Sequence, residues 1–282
     1  MSDPIAAKTI LITGVSSGLG RAFAVAALAA GHRVVGTVRH AADGEAFAAQ
    51  APDRAFPILL DVTDYGAAPD AVRTAEQAAG PIDVLINNAG YGHEGVLEES
   101  SMEDLQRQFA ANVFGPVAMI KAVLPGMRER RRGRIINVTS MGGFITMPGI
   151  SFYCGSKFAL EGISEALGKE VAPFGIYVTS LAPGQFRTDW AGRSMARTAR
   201  SISDYDAIMD PLRAARQAKS GAQPGDPAKA AQAVLQLIDA EKPPVRLYLG
   251  DDALSLVDHK LKVMRRETDG WDALSRSTNF DS

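Results

Sequence analysis

Seven short runs along the chain are almost continuously apolar and rich in β-branched residues: "KTILIT" (8–13), "RVVGTV" (33–38), "AFPILLDV" (55–62), "IDVLINN" (82–88), "GRIINVTS" (133–140), "IYVTSLAP" (176–183) and "VRLYLG" (245–250). A strand with one wet face alternates apolar and polar residues, whereas unbroken runs of this length read as strands covered on both faces. Between them lie Ala-rich stretches such as "GRAFAVAALAAG" and "DAVRTAEQAAG", whose closing glycines read as helix stops. Alternation repeated this often predicts an α/β fold, a parallel sheet with helices on both faces, wound as one domain over 1–282.

Two helix starts carry explicit signals. "SSMEDLQ" offers Ser100 or Ser101 as a cap with an acid three residues on, and "GDPAKAAQAVLQLI" places Asp226 at the cap and Pro227 at the first helical position. Between Gly184 and Gly225 the periodicity weakens over a stretch rich in Arg, Ser and Met. Connections that long are commonly lids or binding loops, so 184–225 reads as a substrate-loop insertion. The segment 250–282 reads as a C-terminal extension, polar at its end and expected to pack only in part.

Composition narrows the class. The 282 residues are 46% hydrophobic and 22% charged, ordinary for a globular chain, and the net charge of −2 gives no general attraction to nucleic acid or anionic membranes. "RERRRGR" (128–134) holds five arginines but falls where a helix should end, a place that favours basic side chains, so it reads as a solvated helix end. One cysteine, Cys154, excludes an internal disulfide, suits a reducing compartment and reads as a small buried apolar residue. The N-terminus lacks the basic flank and long apolar run of a signal peptide, and the best apolar helix, "AFAVAALAAG", is about half a membrane span. A soluble cytoplasmic protein with no membrane or nucleic-acid partner is expected. His32, His40, His93 and His259 are scattered without paired-ligand spacing, so no metal site is expected either.

The first strand runs into "TGVSSGLG", with Gly14, Gly18 and Gly20 in a loop that a helix follows directly. Such a loop lets backbone N–H groups approach a pyrophosphate at the helix N-terminus, and Gly20 would let that helix lie close on the sheet. Its spacing departs from G-x-G-x-x-G, and a glycine-rich turn alone is often only a tight turn. Further on, "SFYCGSKFALEGIS" (151–164) carries Tyr153 and Lys157 four apart, on one helix face. They are either ordinary neighbours or a phenol made acidic by an ammonium, and the pair alone does not decide.

"TGVSSGLG", "NNAG" at 87–90, Asn112, Ser140 and "YCGSK" at 153–157 occur in one order, and with them the chain resembles the short-chain dehydrogenase/reductase family over about residues 8–190 and 226–249. The resemblance implies a Rossmann-type sheet of seven parallel strands holding a nicotinamide dinucleotide at their carboxyl ends. On it, the cofactor would be held by Gly14, Ser16, Ser17, Gly18, Leu19 and Gly20, by Asp61 and Val62 at the adenine, and by Asn88, Ala89 and Gly90 along its length. The "PGQFRT" turn would add Pro183, Gly184, Phe186 and Thr188 near the carboxamide, Phe186 replacing a usual aliphatic residue. It also implies a homodimer or homotetramer, often through the helices around 102–130 and 152–172.

Hydride transfer to a carbonyl carbon needs a proton donor at the carbonyl oxygen. Tyr153 has the group, but a free phenol titrates near pH 10, and Lys157 alongside is expected to lower that value; the resemblance implies that Lys157 also holds the nicotinamide ribose. Ser140, ending its strand, is expected to hydrogen-bond the carbonyl oxygen. The resemblance gives Asn112 a water in a proton relay to the lysine. At the end of the second strand Val38 occupies the place of a ribose-binding acid and Arg39 follows, so a 2′-phosphate and NADP(H) are favoured over NAD(H). Met141, Phe144, Met147 and Trp190 are expected to line an apolar cleft, with Met195 and Met209 left to the core. The expected function is NADP(H)-dependent interconversion of a ketone or aldehyde and an alcohol on an apolar small molecule. The alternatives are an NAD-dependent alcohol dehydrogenase of the same fold and a non-catalytic NADP(H)-sensing protein.

Overall fold

The computed structural model describes residues 7–192 and 194–280. All seven apolar runs become parallel strands of one sheet: β1 Thr9–Ile12, β2 Arg33–Val38, β3 Ala55–Leu59, β4 Val84–Asn87, β6 Gly133–Val138, β7 Ile176–Pro183 and β9 Arg246–Leu249. Two further three-residue strands, β5 Gly92–Glu94 and β8 Met195–Arg197, pair with each other outside it. The main order is β3-β2-β1-β4-β6-β7-β9, so the chain leaves β1 toward one edge and restarts at β4 beside it. That reversal opens a crevice above the carboxyl ends of β1 and β4, the place where sheets of this kind bind ligands.

The continuous patterns of the inner strands have the reason anticipated from sequence, since β1, β4, β6 and most of β2 and β7 are covered on both faces, whereas the edge strands β3 and β9 are only partly covered. Ile10, Ile12, Val34, Val84, Ile86 and Ile136 belong to one core layer with helices α1 (Gly18–Ala29) and α8 (Pro227–Asp239). Leu11, Val35, Leu85, Ile135 and Val178 belong to the other, with α3 (Ala68–Ala79) and α5 (Gly115–Glu129). At the β4/β6 register the pair Asn87–Asn137 is buried, and Asn87 donates to Asn137 at 2.9 Å. The remaining helices are α2 (Ala41–Ala48), α4 (Met102–Phe109), α6 (Ser151–Val171), α7 (Asp206–Ala218), α9 (Asp251–Gly270) and α10 (Asp272–Arg276).

Ser101, not Ser100, caps α4, in a reciprocal box with Asp104, and Asp226 caps α8 by accepting from Ala228 with Pro227 behind it. The 184–225 stretch is more regular than its sequence suggests, holding β8 and the thirteen-residue α7. Pro211 inside α7, and the burial of Met209 alone on that helix, hide its period. The tail is helical too: only Ala253 and Val257 of α9 are buried.

The longest apolar helical run is Met102–Glu129 rather than the segment in α1; it has the length and composition to cross a membrane, yet close to half of its most apolar window is buried in the fold. The arginine run at its end ties the helix to the base of the sheet. Arg130 donates to the Ile82 carbonyl, Arg132 pairs with Asp83, and Arg134 reaches the Ala240 carbonyl.

Candidate active site

The glycine loop is held by backbone and short side chains. Gly14 N donates to the Thr37 carbonyl and hydroxyl, while Asn88 Nδ2 donates to the carbonyls of Thr13 and Gly14, both at 3.0 Å. The Thr13 hydroxyl in turn accepts from the N–H groups of Asn88 and Ala89. Gly14 and Gly18 adopt φ of 73° and 59°, where a side chain would be strained. A Cβ on Gly20 would lie 2.2 Å from the Gly14 carbonyl oxygen and 2.3 Å from Asn88 Nδ2, which accounts for a glycine where helix meets sheet. Ser17 begins α1 without a side-chain cap, leaving the first N–H groups of the helix open to an anion. Ser16 is exposed beside it, and Leu19 turns inward against the core.

Residues distant in sequence complete this crevice. Ala89 lies 3.2 Å from where a Gly14 methyl would sit, and Thr188 lies 3.9 Å from the same point at Gly18. At the end of β2, Val38 is buried and Arg39 exposed. The Asp61 carboxyl is held below the usual carboxylate range, first by hydrogen bonds from Thr63 and, as a smaller effect, by the Arg39 charge nearby. Val62 packs against Gly115. A dinucleotide fits these residues: a glycine cradle, an uncapped helix start, and a cation and a carboxylate at the far end. The Phe186 ring lies against Gly225 and packs on the core, partly buried.

The four residues of the suspected reaction centre converge at the carboxyl ends of β4 and β6. Asn112 sits in a π-helical turn, Ala110–Phe114, that interrupts α4 and α5. Its amide donates to the Tyr91 carbonyl and the Ser156 hydroxyl, and its Oδ1 accepts from Tyr91 N. The same Oδ1 and Lys157 Nζ lie 2.8 and 3.8 Å from the site of a Cβ on Gly90. Ser140 Oγ accepts from Gly142 N, and a methyl on Gly142 would meet both Ser140 Oγ and Tyr153 Cε1 at 3.3 Å. Tyr153 and Lys157 are both buried on α6, with Nζ 5.9 Å from the phenol ring centre and donating to the Val138 carbonyl at 2.8 Å.

The electrostatics differ from the sequence expectation. Burial pushes the Tyr153 phenol well above its ordinary value, with the hydrogen bond from Ser140 only partly opposing it, and Lys157 does not offset this. Burial also lowers Lys157 to about 8, against the pull of Glu161. Desolvation disfavours any charged form, and it outweighs the lysine because Nζ is drawn to the Val138 carbonyl. Glu161 lies one turn beyond Lys157, accepting from Thr139 at 2.6 Å and from Arg246 at 2.7 Å. Nothing in the sequence singles it out except its i+4 spacing.

The four apolar candidates divide. Trp190 lies over the Tyr153 ring at 5.0 Å between centroids, and Met147 packs with Tyr153 and Cys154, so these two border the phenol. Met141 and Phe144 instead join Ile145, Ala253 and Val257 under α9, a correction to their expected place in the cleft; Met147 touches both groups. Met195 and Met209 are buried as core residues. Cys154 is also buried, beside the phenol.

The 184–225 segment is fastened by charge. The wholly enclosed Glu94 of β5 pairs with Arg197 and Arg216 at 3.1 Å and Arg213 at 3.6 Å. Glu99 takes Arg200 at 3.1 Å and the N–H groups of Ser201 and Ile202. The carboxylate of Asp252, at the start of α9, accepts from Gln185 N and lies against Gly184, pinning the turn after Pro183. These acids are unmarked in the sequence because their partners are tens to more than a hundred residues away.

Residues 8–199 match the sequence profile described as short chain dehydrogenase. The chain is 39% identical to a protein named oxidoreductase BOA17 from Botryotinia fuckeliana, across 95% of this chain and 98% of that one. It is 38% identical to a 3-ketodihydrosphingosine reductase from Bacteroides thetaiotaomicron, across 86% and 88% respectively. Among solved structures, a short-chain dehydrogenase from Streptomyces avermitilis superposes with a TM-score of 0.90 at 42% identity, covering 97% of this chain and all of that one.

Proposed function

The chain belongs to the short-chain dehydrogenase family and is an oxidoreductase of it, and from that premise we propose that it interconverts an apolar ketone or aldehyde and the corresponding alcohol with NADP(H). The observation that carries this reading is the Tyr153 phenol, buried between the Ser140 hydroxyl and the Lys157 side chain and bordered by Trp190 and Met147. Bound nicotinamide supplies or accepts the hydride at the carbonyl carbon.

The chain's own residues do the rest. Ser140 holds the carbonyl oxygen, and Tyr153, kept protonated by burial, donates its proton to that oxygen during reduction. Lys157 holds the ribose and returns a proton toward the phenol, with Asn112 fixing the adjoining backbone. Arg39 at the end of β2 supports NADP(H), since a guanidinium there can grip a 2′-phosphate by paired charge-assisted hydrogen bonds. Apolar side chains at the phenol favour an apolar substrate, as does the similarity to a reductase of 3-ketodihydrosphingosine. Exposed Phe114, at the turn that leads into α5, and Phe158 of α6 support association through these helices, and we place the protein in the cytoplasm.

The test is NADPH consumption over carbonyl compounds graded by apolar bulk, with Tyr153→Phe alongside. We expect turnover in the parent and a loss of roughly two to four orders of magnitude in the variant, with cofactor affinity retained. Unchanged turnover would remove Tyr153 from its role, and tight NADPH binding without turnover on any compound would favour a sensing protein.

A further inference from the structure

Helix α9 carries one apolar stripe, continued in register by Trp271 just past its end, and of that stripe the body buries only Val257. Leu254, Val257, Leu261, Met264, Thr268 and Trp271 recur at alternating steps of three and four residues, the spacing of a coiled-coil seam. Ala253 and Val257 are buried against Met141 and Ile145. Past Val257 the helix leaves the body: every residue from 264 to 280 is exposed. Leu254, Leu261, Met264, Trp271 and Leu274 are each more than 40% exposed. The thirteen residues past Val257, 258–270, extend about 20 Å, a helix whose own pattern asks for cover.

The charges beside the stripe say what covers it. One flank carries Asp258 and Arg265; the other carries Lys260 and Glu267. In a parallel pair each residue of the second flank faces the residue five further on in the other copy. That sets Lys260 against Arg265, a repulsive pair made twice by the symmetry of the dimer. In an antiparallel pair crossing near residues 262–263, Asp258 meets Arg265 and Lys260 meets Glu267, each twice by the two-fold axis, while Leu261 packs on Met264. Within one chain Asp258 pairs with Lys262 and Arg265 with Asp269, exposed contacts that contribute little and leave the orientation open. A lipid surface fits less well, because the projecting residues 258–270 hold three acids (Asp258, Glu267, Asp269) among four bases (Lys260, Lys262, Arg265, Arg266), a net charge of only about +1. An anionic bilayer calls for a larger excess of bases.

We propose that the projecting half of α9 is a self-association surface, pairing antiparallel with α9 of a second copy of this chain. The contact is separate from the α5 and α6 face and independent of the catalytic reading. It adds one doubling to whatever assembly that face forms.

The test is sedimentation velocity on the full chain over a concentration series, with melting curves to establish that each variant is folded. L261E/M264E is expected to abolish the doubling without lowering the melting temperature. K260E and E267K alone should each raise the midpoint concentration of that step by about tenfold, from two exposed pairs lost per contact, and K260E/E267K should restore it. A mass unaffected by L261E/M264E would overturn the proposal. A K260E variant that associates more tightly would do the same, since only a parallel pair is relieved by that change. Loss of pelleting with phosphatidylserine vesicles in L261E/M264E, at unchanged mass, would reassign the stripe to lipid.

Discussion

The glycine loop and the 184–225 segment meet at one crevice, where Thr188 lies over Gly18, yet they are built from different interactions. The loop is held by backbone hydrogen bonds and two short side chains, Thr13 and Asn88, with glycines wherever a Cβ would strike something. The segment is held by guanidinium groups reaching two enclosed carboxylates, Glu94 and Glu99. A backbone cradle has few ways to vary and leaves a mark in composition. A charge clasp can be assembled from any acid and any arginines that the fold brings together.

The largest effect should come from filling the cradle. Gly20→Val would push a side chain into the Gly14 carbonyl and Asn88 together, and we expect about 2 kcal/mol or more of lost stability from overpacking. Binding of NADPH should be lost with it, read by calorimetry beside a denaturant melt. Normal cofactor affinity in that variant would show that the loop adapts and that the comparison is wrong at its rigid end.

Opening the clasp should act locally. Glu94→Gln leaves three guanidiniums around a neutral amide in a largely enclosed site, a change of about 3 kcal/mol when a buried pair is broken. Amide exchange should accelerate across residues 195–218 and not in β1 or β4, with KM for substrate rising more than kcat falls. Uniform acceleration through the sheet would mean that Glu94 supports the whole fold rather than the flap.

Smaller effects sharpen the cofactor end. Arg39→Ala should weaken NADPH by about tenfold to a hundredfold, the range for one or two charged hydrogen bonds, and leave NADH unchanged. Equal losses for both cofactors would remove the phosphate role. Last is pH. Lys157 is lowered to about 8, so its ammonium is present below that value and disappears as pH rises through it. Burial keeps the Tyr153 phenol protonated over the same range. The reduction rate should therefore be about halved near pH 8 and continue to fall above it.

The seven strands of the main sheet, a serine cap at 100 or 101, the cap at Asp226, the glycine cradle and the Tyr153–Lys157 spacing could all be read from residue order. Each depends on backbone conformation or on a period of two to four residues, which neighbours along the chain impose by themselves. Four things could not: the helix hidden by Pro211, the division of Met147 and Trp190 from Met141 and Phe144, the acids Glu94, Glu99 and Asp252, and the direction in which Tyr153 titrates. A side chain's partner and its distance from water depend on elements separated by more than a hundred residues in places. Those are set only when the sheet, the flap and α9 have packed, because desolvation and ion pairing act through space and carry no period along the chain.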